Sequence, residues 1–110
     1  MNVQAIRAWL NTEFQRLLAM SHYNREYMYL PDPTGKNSQY AHDIVKLILD
    51  ILAKMPIKQS NIFLCRYVFM MSWKDISTMN WLTRRQNLYL NNKTLAEFGE
   101  AFKPAYDFSK

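Results

Sequence analysis

Apolar residues recur every three or four positions along most of this chain, and this spacing constrains the fold more than any other feature of the sequence. In residues 2–20 the repeat places one apolar stripe along a helix: Val3, Ile6, Leu10, Phe14 and Leu17. Only two glycines and four prolines occur in 110 residues, which disfavours turn-dense β folds and glycine-rich phosphate-binding folds. We therefore predict an all-α protein, a compact bundle of about five helices.

Turn and cap signals divide a single predicted domain into five segments: an N-terminal helix and tyrosine-rich segment (1–30), a loop (31–37), a central helix (38–55), a region of three further helices (56–102) and a tail (103–110). Asn37 or Ser38 is expected to cap the central helix. Pro56 suits the first turn of a third helix that runs to about Met70, and Pro104 is expected to end the last helix.

Residues 72–93 have the layout of a helix-turn-helix. Ser72 precedes a short helix that has Asp75 in its first turn, and Thr83 with Gln86 forms a Thr-x-x-Gln capping box that begins a longer helix. In a helix-turn-helix the second helix enters the major groove of DNA with its N-terminal residues at the base edges. The second helix here begins with two adjacent arginines, so we predict a DNA-binding protein.

The expected DNA contacts fall into two groups. Arginine donates to guanine and an amide can recognise adenine, and the candidates for contacts in the groove are Arg84, Arg85, Gln86 and Tyr89. Lysines that hold flanking phosphates fix the register on the duplex without recognising sequence, and the candidates are Lys58, Lys74 and Lys93. Asn87 and Asn92 are secondary candidates.

The positive charge of the chain is concentrated around this motif. The net charge is +5, but residues 1–53 hold five basic and five acidic groups. Residues 54–93 hold seven basic groups against Asp75 alone, and residues 94–110 hold two basic and three acidic groups. Because attraction to phosphates depends on clustered positive charge, this distribution supports DNA as the partner.

Four short motifs in residues 55–102 also point to a family: Met55-Pro56, Arg66-Tyr67-Val68, Ser72-Trp73-Lys74-Asp75-Ile76-Ser77 and Thr83-Arg84-Arg85. In these motifs the chain resembles the sigma-factor region 4-like helix-turn-helix domains of phage-encoded transcriptional regulators of the late-gene activator type. The resemblance implies sequence-specific binding of double-stranded DNA, transcription regulation, and a phage or prophage protein acting in the cytoplasm of a bacterial host cell.

The chain departs from the family pattern at four positions. Ser77 stands where alanine is usual, and the turn lacks glycine, so Asn80 is expected to adopt the positive φ. Trp81 lies in or beside the turn and is expected to be buried or stacked. Leu88 is the hydrophobic residue expected early in the second helix, but it lies one position further from Ile76 than is common. It is expected to begin the inward stripe of that helix, which continues through Leu95, Phe98 and Phe102 and is interrupted by Asn91.

No other class of site is indicated. His22 and His42 lack partners at metal-ligand spacing, and neither a nucleophile elbow nor a phosphate-binding loop occurs. We therefore predict no enzyme activity, no metal and no cofactor. Cys65 lies in an apolar run and is expected to be a buried, inert thiol. No apolar run is long enough to span a bilayer and no secretory signal is apparent, so we expect a soluble, cytoplasmic protein without membrane contact.

Two alternative functions remain open. The basic, aromatic surface could bind an acidic protein, as in a small phage protein that inhibits or adapts a host nuclease or RNA polymerase. Within the DNA-binding class, a packaging role like that of a small terminase subunit is the other alternative. The methionines and a tyrosine cluster are expected in the core, at the seam of a homodimer, or on a face that binds a partner such as RNA polymerase: Tyr23, Tyr27, Tyr29 and Tyr40.

Overall fold

The structure, a computed structural model, describes residues 2–109, and it is all-helical as predicted. Between residues 2 and 109 there is no β-strand, only an isolated bridge that pairs Asn24 with Tyr29. The helices are α1 (Val3–Asn11), α2 (Glu13–Met20), α3 (Lys36–Ala53), α4 (Ile57–Phe63), α5 (Trp73–Asn80) and α6 (Arg84–Phe102).

The N-terminal stripe is divided between two helices, so the prediction of one helix over residues 2–20 was wrong. Asn2 caps α1 by accepting a hydrogen bond from the Ala5 amide, 3.0 Å away. Thr12 then leaves helical geometry, with φ −123° and ψ −77°. Its hydroxyl donates to the Ala8 carbonyl at 2.8 Å, a side-chain bond of the kind that competes with regular helix. Four residues of the predicted stripe are nevertheless buried: Ile6, Leu10, Phe14 and Leu17.

The central helix begins earlier than predicted, at Lys36, with Gly35 rather than Asn37 or Ser38 at the cap position. Ser38 lies in the first turn instead. Its hydroxyl accepts from the amides of Thr34 and Gly35, at 2.9 Å each. One side chain therefore satisfies two amides where the loop enters α3.

The third helix does not continue as an α-helix to Met70. It changes to a π-helical turn at Leu64–Val68, in which the Phe69 amide donates to the Leu64 carbonyl at 2.9 Å. Met70 then has a positive φ of 56° and is exposed. The helix ends after this wider turn, because the left-handed backbone of Met70 cannot continue it.

Most of the core is one cluster that joins α1, α2, α3, α4 and α6. Its aromatic centre has ring centroids 5.2 Å apart for Phe63 and Phe98 and 5.1 Å apart for Phe98 and Phe102. A second, smaller cluster is formed by Ile62, Cys65 and Ile76. Since Ile76 is the only buried residue of α5, this small cluster positions α5 beside the main core.

The tyrosine cluster is not one structural unit. Tyr23 is buried, whereas Tyr27, Tyr29 and Tyr40 are largely exposed. None of the helices within residues 3–102 is long and apolar enough to cross a lipid bilayer.

Cys65 is buried, as predicted, and burial raises the pKa of its thiol. A higher pKa leaves less thiolate at a given pH, and the thiolate is the reactive form. We expect alkylation of native Cys65 by iodoacetamide at pH 7.5 to be slower than alkylation in denaturing urea. The native rate should keep rising with pH above the ordinary pKa of a thiol. Equal rates for native and denatured protein would contradict this expectation.

Candidate nucleic-acid interface

The last two helices are joined by a connection of three residues, 81–83, and local caps begin both. The Ser72 hydroxyl accepts from the Asp75 amide at 3.1 Å, at the start of α5. At the start of α6 the capping box is complete. The Thr83 hydroxyl accepts from the Gln86 amide at 3.1 Å, and the Gln86 side-chain oxygen accepts from the Thr83 amide at 2.9 Å. The predicted start of the second helix is therefore confirmed.

A buried asparagine on α6 holds the two helices together. Asn87 is fully buried, and its Nδ2 donates to the Ser77 hydroxyl at 3.0 Å. Its Oδ1 accepts from Asn80 Nδ2 at 2.7 Å. Because both partners lie on α5, these bonds fix α6 against α5. Burial also removes Asn87 from the candidate DNA contacts.

The connection differs from the prediction at two residues. Asn80 does not take the positive φ, because it is the last residue of α5 and its Oδ1 accepts from the Leu82 amide at 3.1 Å. Trp81 takes it, with φ 65° and ψ 15°, and its amide donates to the Ser77 carbonyl at 3.1 Å. The expectation that Trp81 is buried or stacked was wrong, since 91% of it is exposed.

The inward stripe of α6 begins with polar residues. Leu95, Phe98 and Phe102 are buried as predicted, but Leu88 is only partly buried. Asn91 is fully buried and exchanges hydrogen bonds with the Tyr67 hydroxyl at 3.0–3.2 Å. The helical repeat places positions 87, 91, 94, 95 and 98 on one side, which puts position 88 at the flank.

The opposite side of α6 presents a basic and aromatic face to solvent. Arg85, Tyr89, Asn92 and Lys93 are exposed and follow the spacing i, i+4, i+7, i+8, which aligns them along one side of a helix. Tyr89 is 74% exposed. Among the described residues, no ion pair neutralises Arg85 or Lys93. We call these four residues the α6 face.

Arg84 lies on a different side of α6 and lines a shallow depression between α5 and α6. The depression has a volume of about 430 Å³, and its lining includes Lys74, Ser77 and Thr78 from α5. Trp73 also lines it, and the Arg66 guanidinium lies 4.8 Å from the centroid of the Trp73 ring. The fold therefore brings Lys74 and Arg84 together.

Two of the predicted contact residues are placed less favourably. The side-chain oxygen of Gln86 is occupied by the capping box, whereas paired recognition of adenine by an amide uses both its oxygen and its nitrogen. Lys58 lies on α4 and lines a separate apolar groove of about 380 Å³ with Ile62, Ile76 and Leu90. The structure does not bring Lys58 into the depression with Lys74 and Arg84.

One cationic residue beside the α6 face was missed by the sequence analysis. Arg7 on α1 donates from Nη2 to Asn92 Oδ1 at 2.8 Å. The two residues are 85 positions apart, and no local pattern links them. The contact adds a guanidinium beside Asn92 that only the tertiary fold could reveal.

Within residues 2–109, no three histidine, cysteine, aspartate or glutamate side chains come together in a group that could hold a metal ion. No family model, curated protein or solved structure matches the chain. The resemblance to sigma-factor region 4-like domains therefore stays a prediction, and the function has to be inferred from the arrangement of the residues on α5 and α6.

Proposed function

We propose that this protein is a DNA-binding transcriptional regulator that places the N-terminal half of α6 in the major groove of duplex DNA. The observation that carries the proposal is the α6 face, where Arg85, Tyr89 and Lys93 are exposed and aligned. The Asn87 network supports it, because a recognition helix must be held rigidly against its neighbour to present side chains in register.

The roles follow from the placement of each side chain. Arg85 lies on the first turn of the α6 face and suits paired donation to O6 and N7 of guanine. Arg84 is the first residue of α6 and lines the depression with Lys74, where it can reach either a base or a phosphate. Tyr89 is one turn further along and offers a hydroxyl and a ring. Lys74 and Lys93 suit contacts with flanking phosphates, which set register.

The charge of this region favours a polyanion. Segment 76–96 contains no aspartate or glutamate. Arg66, Lys74 and Arg84 lie at or beside the depression, and Arg7 lies beside Asn92. A cationic surface of this kind releases counterions from DNA, so the affinity should fall steeply as salt rises.

The phosphate contacts can be tested with a double variant. We expect K74A/K93A to bind random duplex DNA more weakly than the unchanged protein, whose nonspecific Kd should be about 10⁻⁴ to 10⁻⁶ M at physiological salt. The slope of log K against log salt should become shallower by about 2, because each substitution removes one lysine that neutralises a phosphate. Titration followed by fluorescence anisotropy at several salt concentrations measures both quantities.

A matched control is available on α3. The K36A/K46A variant removes the same two charges from residues that lie outside the candidate interface, and Lys46 is paired with Asp50 at 3.0 Å. Its salt slope should stay close to that of the unchanged protein. Equal slopes for the two double variants would show that binding depends on net charge alone and would contradict the assigned phosphate-binding lysines.

A second candidate function is a protein-binding inhibitor or adaptor, and one surface favours it. Tyr27, Met28 and Tyr29 are exposed in a tight turn. Arg25, in the same turn, donates to the Val68 carbonyl at 2.7 Å, so the turn lies beside the end of the π-helical segment. Exposed tyrosine and methionine are enriched in protein interfaces. Absence of any binding to random duplex DNA in the anisotropy titration would favour this candidate.

A further inference from the structure

Trp81 occupies a position that is unfavourable for its residue type in two respects. It is 91% exposed, the largest fraction among the exposed large hydrophobic residues of the described chain. Its φ of 65° lies in the left-handed region, where glycine or asparagine is accommodated easily and a bulky residue is strained. Residues held in strained conformations are concentrated at functional sites. Folding and packing among the described residues give no reason for tryptophan at this position.

The surroundings of Trp81 indicate the charge of whatever covers it. Arg84 follows three residues later, and a chain of three residues spans at most about 11 Å. Arg85 comes next, and both arginines are exposed. Trp81 and the two arginines are therefore close along the backbone, in a segment without acidic residues. Charge complementarity favours an anionic partner that also offers flat apolar faces, which are the two properties that nucleic acids combine.

We propose that Trp81 stacks on a base or wedges between two bases at the edge of the DNA site, so that the bound duplex is locally unstacked. This inference rests on the proposed function and adds a deformation of the DNA to it. Apolar side chains that enter a base step unstack it and kink the duplex. Aromatic rings stack on any base because every base has a π-face. Trp81 would thus contribute affinity without a phosphate contact.

Two variants test the proposal. Trp81→Gly removes the ring and relieves the strained backbone, while Trp81→Phe keeps an aromatic face. We expect W81G to bind a random-sequence 20-base-pair duplex about 5- to 100-fold more weakly, the range for loss of one stacked base. Its salt slope should not change, because no cation is removed. W81F should retain most of the affinity.

A mismatched duplex provides a second readout. In this readout the 20-base-pair pool carries one central mismatched pair, at which unstacking the bases costs less free energy. The unchanged protein should therefore bind the mismatched pool more tightly than the fully paired pool. W81G should lose this preference. W81G should also melt at the same temperature as the unchanged protein or a few degrees higher, which shows that weaker binding does not come from unfolding.

The outcomes separate this inference from the proposed function. If W81G binds both duplexes as the unchanged protein does, while K74A/K93A binds them more weakly, the stacking role is overturned and the DNA-binding proposal stands. If W81G loses only self-association in sedimentation, Trp81 contacts a second protein copy and the inference is also overturned. If the unchanged protein binds neither duplex, both proposals fail. Should W81G melt lower, Trp81→Asn, which also tolerates positive φ, takes its place in every comparison.

Discussion

Replacing Arg84 and Arg85 together with alanine is expected to abolish the preference of this protein for one DNA sequence over another. Each well-placed arginine contact with guanine contributes about 1 to 3 kcal/mol of discrimination. Loss of both should therefore weaken binding to a selected sequence by about 30-fold to 20,000-fold. Selection of bound duplexes from a random pool supplies the sequence, and anisotropy titrations with the selected and random duplexes measure the preference.

The double variant should fold normally. Both arginines are exposed, and among the described residues neither forms an ion pair. Alanine has the highest helix propensity, and the capping residues are untouched. The far-UV circular dichroism spectrum and the melting temperature should stay close to those of the unchanged protein. A variant with unchanged structure and unchanged sequence preference would contradict the assignment of α6 as the recognition helix.

A charge-conserving variant distinguishes base recognition from general attraction. R84K/R85K keeps both positive charges but lacks the planar fork that makes two parallel hydrogen bonds to guanine. We expect it to bind random duplexes nearly as well as the unchanged protein while its preference for the selected sequence falls. If the lysine variant keeps the full preference, the two arginines act through phosphates, and other residues of α6 must recognise the bases.

The parts of the candidate site that could be predicted from sequence are those determined by neighbouring residues. The Thr83–Gln86 capping box and the Ser72 cap involve groups three residues apart, so their signals are complete within a few letters of sequence. The apolar repeat predicted the helical class for the same reason. The four residues of the α6 face were all candidates from the sequence, but their grouping on one exposed side was found only in the structure.

Contacts between distant residues could not be predicted in this way. The bond from Arg7 to Asn92 depends on how α1 packs against α6. The break at Thr12 is local, but the apolar repeat does not reveal it, because a threonine hydroxyl can bond the carbonyl four residues back in a regular helix as well. The buried face of α6 was misjudged at Leu88 because a search for apolar residues overlooks polar residues that are buried with hydrogen-bond partners.

Asn87 shows most clearly what the apolar pattern missed, and its replacement should have the largest effect on stability among these variants. We expect Asn87→Ala to lower the free energy of unfolding by about 2 to 4 kcal/mol. Part of this loss is the unsatisfied hydrogen-bonding capacity left on its partners in α5, and part is the cavity left at a fully buried position. Urea denaturation followed by circular dichroism measures the change.

Asn92→Ala is the matched control, because it removes the same side chain from an exposed position of the same helix. It loses the hydrogen bond to Arg7 and should cost less than about 1 kcal/mol. In N87A the amides of α5 should also exchange with deuterium faster than in N92A, because Asn87 bonds α6 to α5 and Asn92 does not. Equal destabilisation by the two variants would show that the Asn87 network does not hold the helices together. If N87A instead loosens α5 and also loses sequence preference with both arginines intact, the buried amide is what keeps Arg85 in register with Lys74.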